Sequence, residues 1–337
     1  MIELRKINEN FINSSYLRNS CFNTNWLKLI LKSHELNLKE LIIDKKIIYV
    51  VEQKIFFKKY LISLPMIYNL NLDNEFYDHI FKHRIRLKLF LKNNNFFDLI
   101  IKSSYEMVKQ NNKYFKTSWL DFVIDLSNDL KKIANDFNEN TKRDLNVSSA
   151  NYSIEFSAGA DEIVKYFENY SNYNKTKGYF CYTKKIFDNL TTFMSSKKDF
   201  LIINLRNIKS KELVGGVFFY LNSSNMKAVY LNSWRDTKEK FPVIKFLFFE
   251  AIKYLKKNHY LEISLGRNEE SNKGLTRFKS NWNSNVTKLY YFSLRKKNYQ
   301  ILEKKFILIL VKLFIRFLPY GIYLKINSFM SKKLFKF

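Results

Sequence analysis

Leu265–Trp282 reads LGRNEESNKGLTRFKSNW. It holds two of the chain's seven glycines, Gly266 and Gly274. The run just before it, Tyr260–Leu265, is short and mostly apolar, which predicts a strand. A charged loop follows from Arg267 to Lys273, and then Arg277, Phe278, Lys279 and Trp282 interleave cations with aromatics. A strand that opens into a polar loop and closes on an anchored lysine is a common way to build a site. Lys279 is therefore the first candidate for a reaction centre. The plainer alternative is a surface lysine anchored by two buried aromatics.

Upstream, Phe241–Lys257 is the clearest helical pattern, with Pro242 near its first turn and lysines at its C-terminal end, where they suit the helix dipole. Before it come three strand-like runs, Phe200–Arg206, Leu213–Leu221 and Lys227–Trp234, the second carrying Gly215-Gly216. That glycine pair implies either close backbone approach to a ligand or a bulge. The link from Arg235 to Lys240 leads into a helix N-terminus, whose unpaired N–H groups hold phosphate well. Lys238 and Lys240 are the candidate phosphate ligands, against the alternative of a solvated loop.

Further back, Thr183–Ser195 and Asp161–Asn169 read as helices, with Asn172–Gly178 as a polar loop between them. Tyr152–Phe156 reads as a strand, and Ser127–Asn140 as one helix capped by Ser127. In the first part, Trp26–Ser33 is helical, and Leu38–Ile43, Lys46–Gln53 and Ile55–Leu64 are strands with a hairpin tip at Asp44-Lys45. Phe76–Phe90 and Phe97–Gln110 read as helices broken by Asn93-Asn94-Asn95. Trp119–Leu126 and Lys288–Leu294 complete the strands. The predicted class is α+β, in two halves of comparable element content, with boundaries at 1–126, 127–295 and 296–337.

The third segment is a tail of different composition. From Arg295 to Phe337 it has 11 Lys/Arg and a single acid, Glu303. Ile301–Leu318 puts Ile307, Leu308, Leu310, Val311, Phe314, Ile315 and Leu318 on a broad apolar face, with Lys305, Lys312 and Arg316 opposite. That pattern predicts an amphipathic helix lying in a membrane surface. The alternative is a helix packed on the domain with its lysines in water.

Composition sets the outer limits. At 337 residues the chain fits two domains. A net charge of +27 points to an anionic partner: nucleic acid, a membrane surface or a phosphorylated substrate. Inflated Lys, Asn, Ile, Phe and Tyr also fit a compositional bias without function. The two cysteines, Cys21 and Cys181, suggest no disulfide framework and no zinc motif. The first residues, MIELRKINENF, have no apolar core of a signal peptide, and no run is a clean transmembrane helix. The expectation is a cytoplasmic protein, either free or peripheral at the inner face of the cytoplasmic membrane. His79 and His83 stand four apart, but no third ligand accompanies them, so no metal is expected. No Gly-x-Ser-x-Gly elbow, Walker loop or Gly-x-Gly-x-x-Gly is present.

Several stretches together resemble the FemAB-like acyltransferases of the GNAT superfamily, of the type that builds peptidoglycan bridges or accompanies envelope polysaccharide systems. Ser264-Leu265-Gly266-Arg267-Asn268 resembles the family's D-F-G-R-S. Phe278-Lys279-Ser280-Asn281-Trp282-Asn283 resembles F-K-x-x-W-G, and Leu289-Tyr290-Tyr291-Phe292 its final aromatic strand. Val214-Gly215-Gly216-Val217 resembles its V-G-G strand. The helix with Phe241-Pro242 and Phe248-Phe249-Glu250-Ala251-Ile252 is similar to P-x-x-L-L-W-E-A-I. Asn140-Thr141-Lys142-Arg143 and Ile62-Ser63-Leu64-Pro65 add to the likeness. Two positions depart: the family's Asp is Ser264 here, and its Gly after Trp is Asn283.

The resemblance implies two tandem GNAT-like (acyl-CoA N-acyltransferase) domains followed by the amphipathic tail. It implies transfer of an acyl group from acyl-CoA or aminoacyl-tRNA to an amine on a cell-envelope glycan or peptidoglycan precursor, lipid-linked or nucleotide-linked. The lysine after phenylalanine, Lys279, would stabilise the tetrahedral oxyanion, with Phe278 fixing it. Arg267, Trp282, Tyr230, Trp234 and Arg143 are the implied substrate contacts. The competing expectation is a catalytically inactive GNAT-like scaffold that binds a membrane surface or nucleic acid.

Overall fold

The computed structural model describes residues 2–7, 24–55, 58–63, 82–103, 115–147, 149–157, 160–193, 199–294 and 305–334. They fall into two compact units. The first comprises Met1–Trp119, Lys288–Ile309 and Ser328–Phe337; the second comprises Leu120–Thr287 and Leu310–Asn327.

In the first unit, β1 (Ile2–Lys6), β2 (Asn37–Ile43), β3 (Lys46–Ile55) and β4 (Lys58–Ser63) pair antiparallel in that order. β5 (Asp98–Ser103) joins β4 in parallel, and β12 (Asn285–Ser293) pairs antiparallel with β5. Asp44 and Lys45 form the β2–β3 tip with φ of 44° and 74°, the left-handed geometry of a tight hairpin turn. α1 (Thr24–His34) buries Trp26, Leu27, Leu29, Ile30 and Leu31, while α2 (Arg84–Asn93) packs Leu87 and Leu91 into a core with Leu41, Val50, Leu61 and Leu99.

The expected helix over Phe97–Gln110 is a strand through Ser103, and the remainder lies outside the described residues. Leu99, Ile100 and Ile101 are all buried, so both faces of β5 are covered; an apolar run of that length has no distinguishing period. The expected Phe76–Phe90 helix is described only from Lys82, and its helix continues to Asn93.

The second unit repeats the pattern. β7 (Tyr152–Ser157), β8 (Phe200–Asn207), β9 (Leu213–Asn222) and β10 (Lys227–Arg235) pair antiparallel in order, and β11 (Glu262–Glu269) joins β10 in parallel. β6 (Phe115–Asp125) lies beyond β11. Among the described residues, each unit thus has four antiparallel strands, a parallel fifth and a sixth drawn from a distant part of the chain. Lys288–Leu294, expected to close the second half, completes the first instead.

Between β6 and β7, the helix expected over Ser127–Asn140 is two short ones. Asp129 caps α3 (Leu130–Asn135) by accepting from the Lys132 N–H at 2.8 Å, and Asn138 caps α4 (Glu139–Leu145). Two good acceptors within ten residues gave the backbone a second start. α5 (Ala160–Lys177) runs through the expected loop and stops at Gly178, whose φ is 74°. α6 (Lys184–Phe193) follows.

α7 (Val243–Lys257) buries Val243, Leu247, Phe248, Ala251, Ile252 and Leu255, a one-sided stripe at helical spacing. Each large member stabilises by roughly 1.5–3 kcal/mol. The glycine pair on β9 serves opposite faces of the sheet. A Cβ on Gly215 would collide with the Val243 side chain, so its absence lets the first turn of α7 approach. A Cβ on Gly216 would lie 2.6 Å from Asn204 Oδ1 and 2.7 Å from Trp234 Nε1 on the other face.

The tail forms α9 (Lys305–Phe317) and α10 (Tyr320–Leu334), two helices in place of the single one expected. Their residues 310–327 belong with the second unit. The polarity of α9 differs from the simple expectation. Lys312 Nζ bonds Tyr179 Oη at 3.3 Å, and Ile315 is buried, so this side faces the domain. Leu310, Leu313, Phe314 and Phe317 are exposed, Phe317 at 84%.

Candidate active site

Lys279 sits in α8 (Lys273–Ser280), which Asn272 caps by accepting from the Leu275 N–H. The charged loop between β11 and α8 is thereby shorter than the sequence suggested, because Arg267 and Asn268 extend the strand. The helix is clamped from beneath by aromatics. Trp282 is 1% exposed, stacks on Phe248 with centroids 5.5 Å apart, and meets Phe137 edge-on at 5.1 Å. Phe278 meets Phe248 edge-on at 5.8 Å. Phe278 therefore packs the helix onto α7, whereas Trp282 is a core residue rather than a wall of the site. Asn283, where the resembling family has Gly, adopts φ 51°, and asparagine tolerates that left-handed turn.

Lys279 is 3% exposed. Its Nζ donates to the Gly266 carbonyl at 2.7 Å and lies 5.4 Å from the centroid of the Phe122 ring. Gly266 has φ 69°, a conformation that favours glycine, and its carbonyl is the one that receives the ammonium.

Beside Lys279 stands Asp121 on β6, a residue the sequence did not single out. One carboxylate oxygen accepts from the Phe122 N–H at 3.1 Å, and Ser264 on the neighbouring β11 favours the charged carboxylate. Arg267 also faces it. Burial pushes the Asp121 carboxyl above its ordinary range, against the pull of the Phe122 N–H, Lys279, Arg267 and Ser264. Burial lowers Lys279 from 10.5 to about 8, opposed by the Asp121 charge and helped by Arg267. Desolvation thus outweighs mutual attraction at both groups. A lysine near 8 is a cation at neutral pH that can also exchange a proton there.

The other expected site residues are distributed more widely. Tyr230 is half-buried, bonds Ser233 Oγ at 2.7 Å, and burial raises its phenol to about 12. Tyr182, which the sequence gave no reason to pick, comes from the α5–α6 connection. The charge of Arg267 acts on its buried phenol, and Tyr182 in turn acts on Tyr230. Trp234 is 4% exposed, with its Nε1 unpartnered among the described residues. Arg143 is exposed on α4 and pairs at 3.7 Å with Asp144, whose other oxygen holds Lys245 on the first turn of α7. Lys238 and Lys240 are exposed before α7, where Pro242 provides no side-chain cap. The same link carries Asp236 and Glu239, which accept from the Lys238 and Phe241 N–H groups.

β10 and β11 are registered in parallel only over Lys227–Val229 against Glu262–Ser264. Beyond that, β10 shifts register against β9 between Tyr230 and Asn232. Cys181 is buried, with Sγ 3.3 Å from Tyr323 Oη, and burial raises its thiol to about 11, which makes it a poor nucleophile. Cys21 and His79 lie outside the described residues. His83 pairs with Asp44 at 3.0 Å. Among the described residues, no three His, Cys, Asp or Glu side chains cluster as metal ligands, and no helix is long and apolar enough to cross a membrane.

No protein-family model and no curated protein matches the sequence. Solved structures do match. One is FemX, with 10% identity and a TM-score of 0.59 over 90% of this chain and 100% of that one. Another is a conserved protein of unknown function from Bacteroides thetaiotaomicron, at 12% identity and TM-score 0.54, covering 88% and 100%. A third is the C-terminal domain of a putative lysylphosphatidylglycerol synthetase from Agrobacterium fabrum, at 10% identity and TM-score 0.51, covering 84% and 92%. These likenesses establish the fold: two tandem GNAT-like domains with C-terminal helices.

Proposed function

From this shared fold, we propose that the chain is an N-acyltransferase whose second GNAT-like domain carries the reaction centre at Lys279. The observation that carries the proposal is the buried Lys279 ammonium, fixed by the Gly266 carbonyl at 2.7 Å. Amine attack on a thioester or ester puts negative charge on the carbonyl oxygen. A fixed cation in a dry site stabilises that charge by roughly 3–4 kcal/mol. The donor is acyl-CoA or aminoacyl-tRNA. Lys238 and Lys240, beside the N-terminus of α7, supply the contacts for its phosphates. Arg267, Tyr230 and Arg143 serve the substrates, and Trp234, buried like Trp282, supports them from the core. The acceptor is an amine on an envelope precursor, lipid-linked or nucleotide-linked. Lys279→Met should retain the fold and lose about 100-fold or more in turnover; turnover within a few-fold of wild type would exclude the role.

The tail supports a peripheral location at the inner membrane face. Residues 305–334 hold six cations and no acid. The exposed Leu310, Leu313, Phe314 and Phe317 form an apolar stripe suited to the headgroup boundary. Flotation with vesicles rich in phosphatidylglycerol should carry the protein, and the pair Phe314→Glu with Phe317→Glu should leave it behind. A second reading, an inactive basic scaffold, draws on the near-complete burial of Lys279. Calorimetry separates the two: the enzyme binds acyl-CoA or aminoacyl-tRNA in its second domain, and the scaffold binds vesicles without either donor.

A further inference from the structure

Asp121 is a second, half-buried ionisable group at this centre, and nothing in the motif set requires it. It comes from β6, a strand separated from β11 and α8 by more than 130 residues of chain, and it arrives beside Ser264 because β6 and β11 are neighbours in the sheet. Its surroundings fix it on two sides. The Phe122 N–H donates to one oxygen at 3.1 Å, and Ser264 on the neighbouring strand favours the charged carboxylate while its Oγ accepts from the Gly266 N–H at 3.2 Å. The Gly266 carbonyl receives Lys279. The Ser264–Gly266 turn thus joins Lys279 Nζ to the strand beside Asp121, and the ring of Phe122, the next residue after Asp121, lies 5.4 Å from the same ammonium.

We propose that Asp121 is the positioning residue of Lys279: its anchored carboxylate keeps the buried lysine charged and aimed beside Gly266. This rests on the role given to Lys279 above. Among the described residues, Arg267 from β11 is the charged group that faces the pair; it repels Lys279 and attracts Asp121. Tyr182 faces Arg267 from the α5–α6 connection. Without the carboxylate, Lys279 would meet only a carbonyl, an aromatic face and a like charge. Burial would then drive it further toward the neutral amine. Ser264 takes on meaning here, because the carboxylate expected at that position is supplied by the adjacent strand.

The test reads the lysine directly. The full-length chain is pulse-labelled with acetic anhydride across pH, and acetylation of the Lys279 peptide is measured by mass spectrometry, so the midpoint reports the free amine. The wild-type midpoint is expected at about 8. In Asp121→Asn it should fall to about 7 or below. The falling limb of the rate against pH should move with it. In the double variant Asp121→Ser with Ser264→Asp, which moves the carboxylate across the strand pair, the midpoint should return toward that of the wild type. An unchanged midpoint in folded Asp121→Asn overturns the proposal. If Asp121→Asn does not fold, the double variant decides: a midpoint kept near that of the wild type supports the pairing, and a lowered one overturns it. A midpoint that falls while turnover stays constant leaves the pairing intact and refutes the catalytic role of Lys279, so the two ideas fail separately.

Discussion

Holding an ammonium ion in the interior carries a thermodynamic signature that does not depend on knowing the substrate. Folding lowers Lys279 from 10.5 to about 8. At about 1.4 kcal/mol per pH unit, the folded state bears a penalty of roughly 3 kcal/mol for this one proton at pH 7. The sign follows from proton counts. Between pH 8 and 10.5 the unfolded chain still holds the proton and the folded chain has released it, so stability from this group rises with pH across that window. Lys279→Met removes the titration. The variant also leaves the Asp121 carboxyl, already raised by burial, without its partner, so the same comparison is run for Asp121→Asn against Asp121→Asn with Lys279→Met, a background that lacks that carboxyl. Urea unfolding of both proteins at pH 7, 8, 9 and 10 should therefore give a difference that changes by about 2–3 kcal/mol in favour of the wild type as pH rises. Tyrosines and other lysines titrate in both proteins and cancel. A difference that stays flat to within about 0.5 kcal/mol would mean that Lys279 is not held as a buried cation. The oxyanion role would then lose its physical basis.

Acyl transfer should decline as pH rises through about 8, because the reaction needs the Lys279 ammonium and the folded state releases its proton there; a rate against pH under saturating donor would show the limb. Gly215→Ala should destabilise the second domain by about 1–3 kcal/mol, since its Cβ collides with Val243 and the first turn of α7 must retreat. Urea midpoints at constant slope would measure that. Gly178→Ala combines a left-handed φ of 74° with a collision against the Lys312 carbonyl. It should loosen α9 from the domain by about 1–2 kcal/mol, seen as faster tryptic cleavage after Lys312 with the second-domain core still protected. Gly266→Ala has room for its Cβ, the nearest atom being 3.9 Å away, so its effect should come through φ alone. Turnover should fall more than stability as the carbonyl turns away from Lys279.

Much of the second domain was legible in the chain because its elements carry local signals. α7 declares itself by Pro242 and a one-sided apolar stripe, and β8 to β10 by short apolar runs between turn residues. The basic-aromatic cluster around Lys279 was visible in the sequence, and in the fold its Phe278 packs α8 against Phe248. Where apolar residues cover both faces, as at Leu99–Ile101, periodicity disappears and helix and strand look alike. Where two caps compete, as at Asp129 and Asn138, one predicted helix became two. Trp282 was read as a wall of the site, but an aromatic at helical spacing from Phe278 is equally a core residue, and the core claimed it.

The sequence by itself determined the class of the protein, the repeated strand pattern's raw elements, the strong positive charge of the tail and the lysine on which the chemistry is proposed to turn. Each is encoded in residues near one another along the chain. Only the tertiary structure decided that β12 completes the first unit and β6 the second, because strand pairing joins segments that no local signal connects. That exchange brings Asp121 to Ser264 and Lys279. It also turned Lys312 inward and left Phe314 and Phe317 exposed, since the α5–α6 connection offers α9 a hydrogen-bonding surface where a helix considered alone would show an apolar face to bury. A buried charge depends on which neighbours surround it, and those neighbours were drawn from β6, β11 and α8 by the fold.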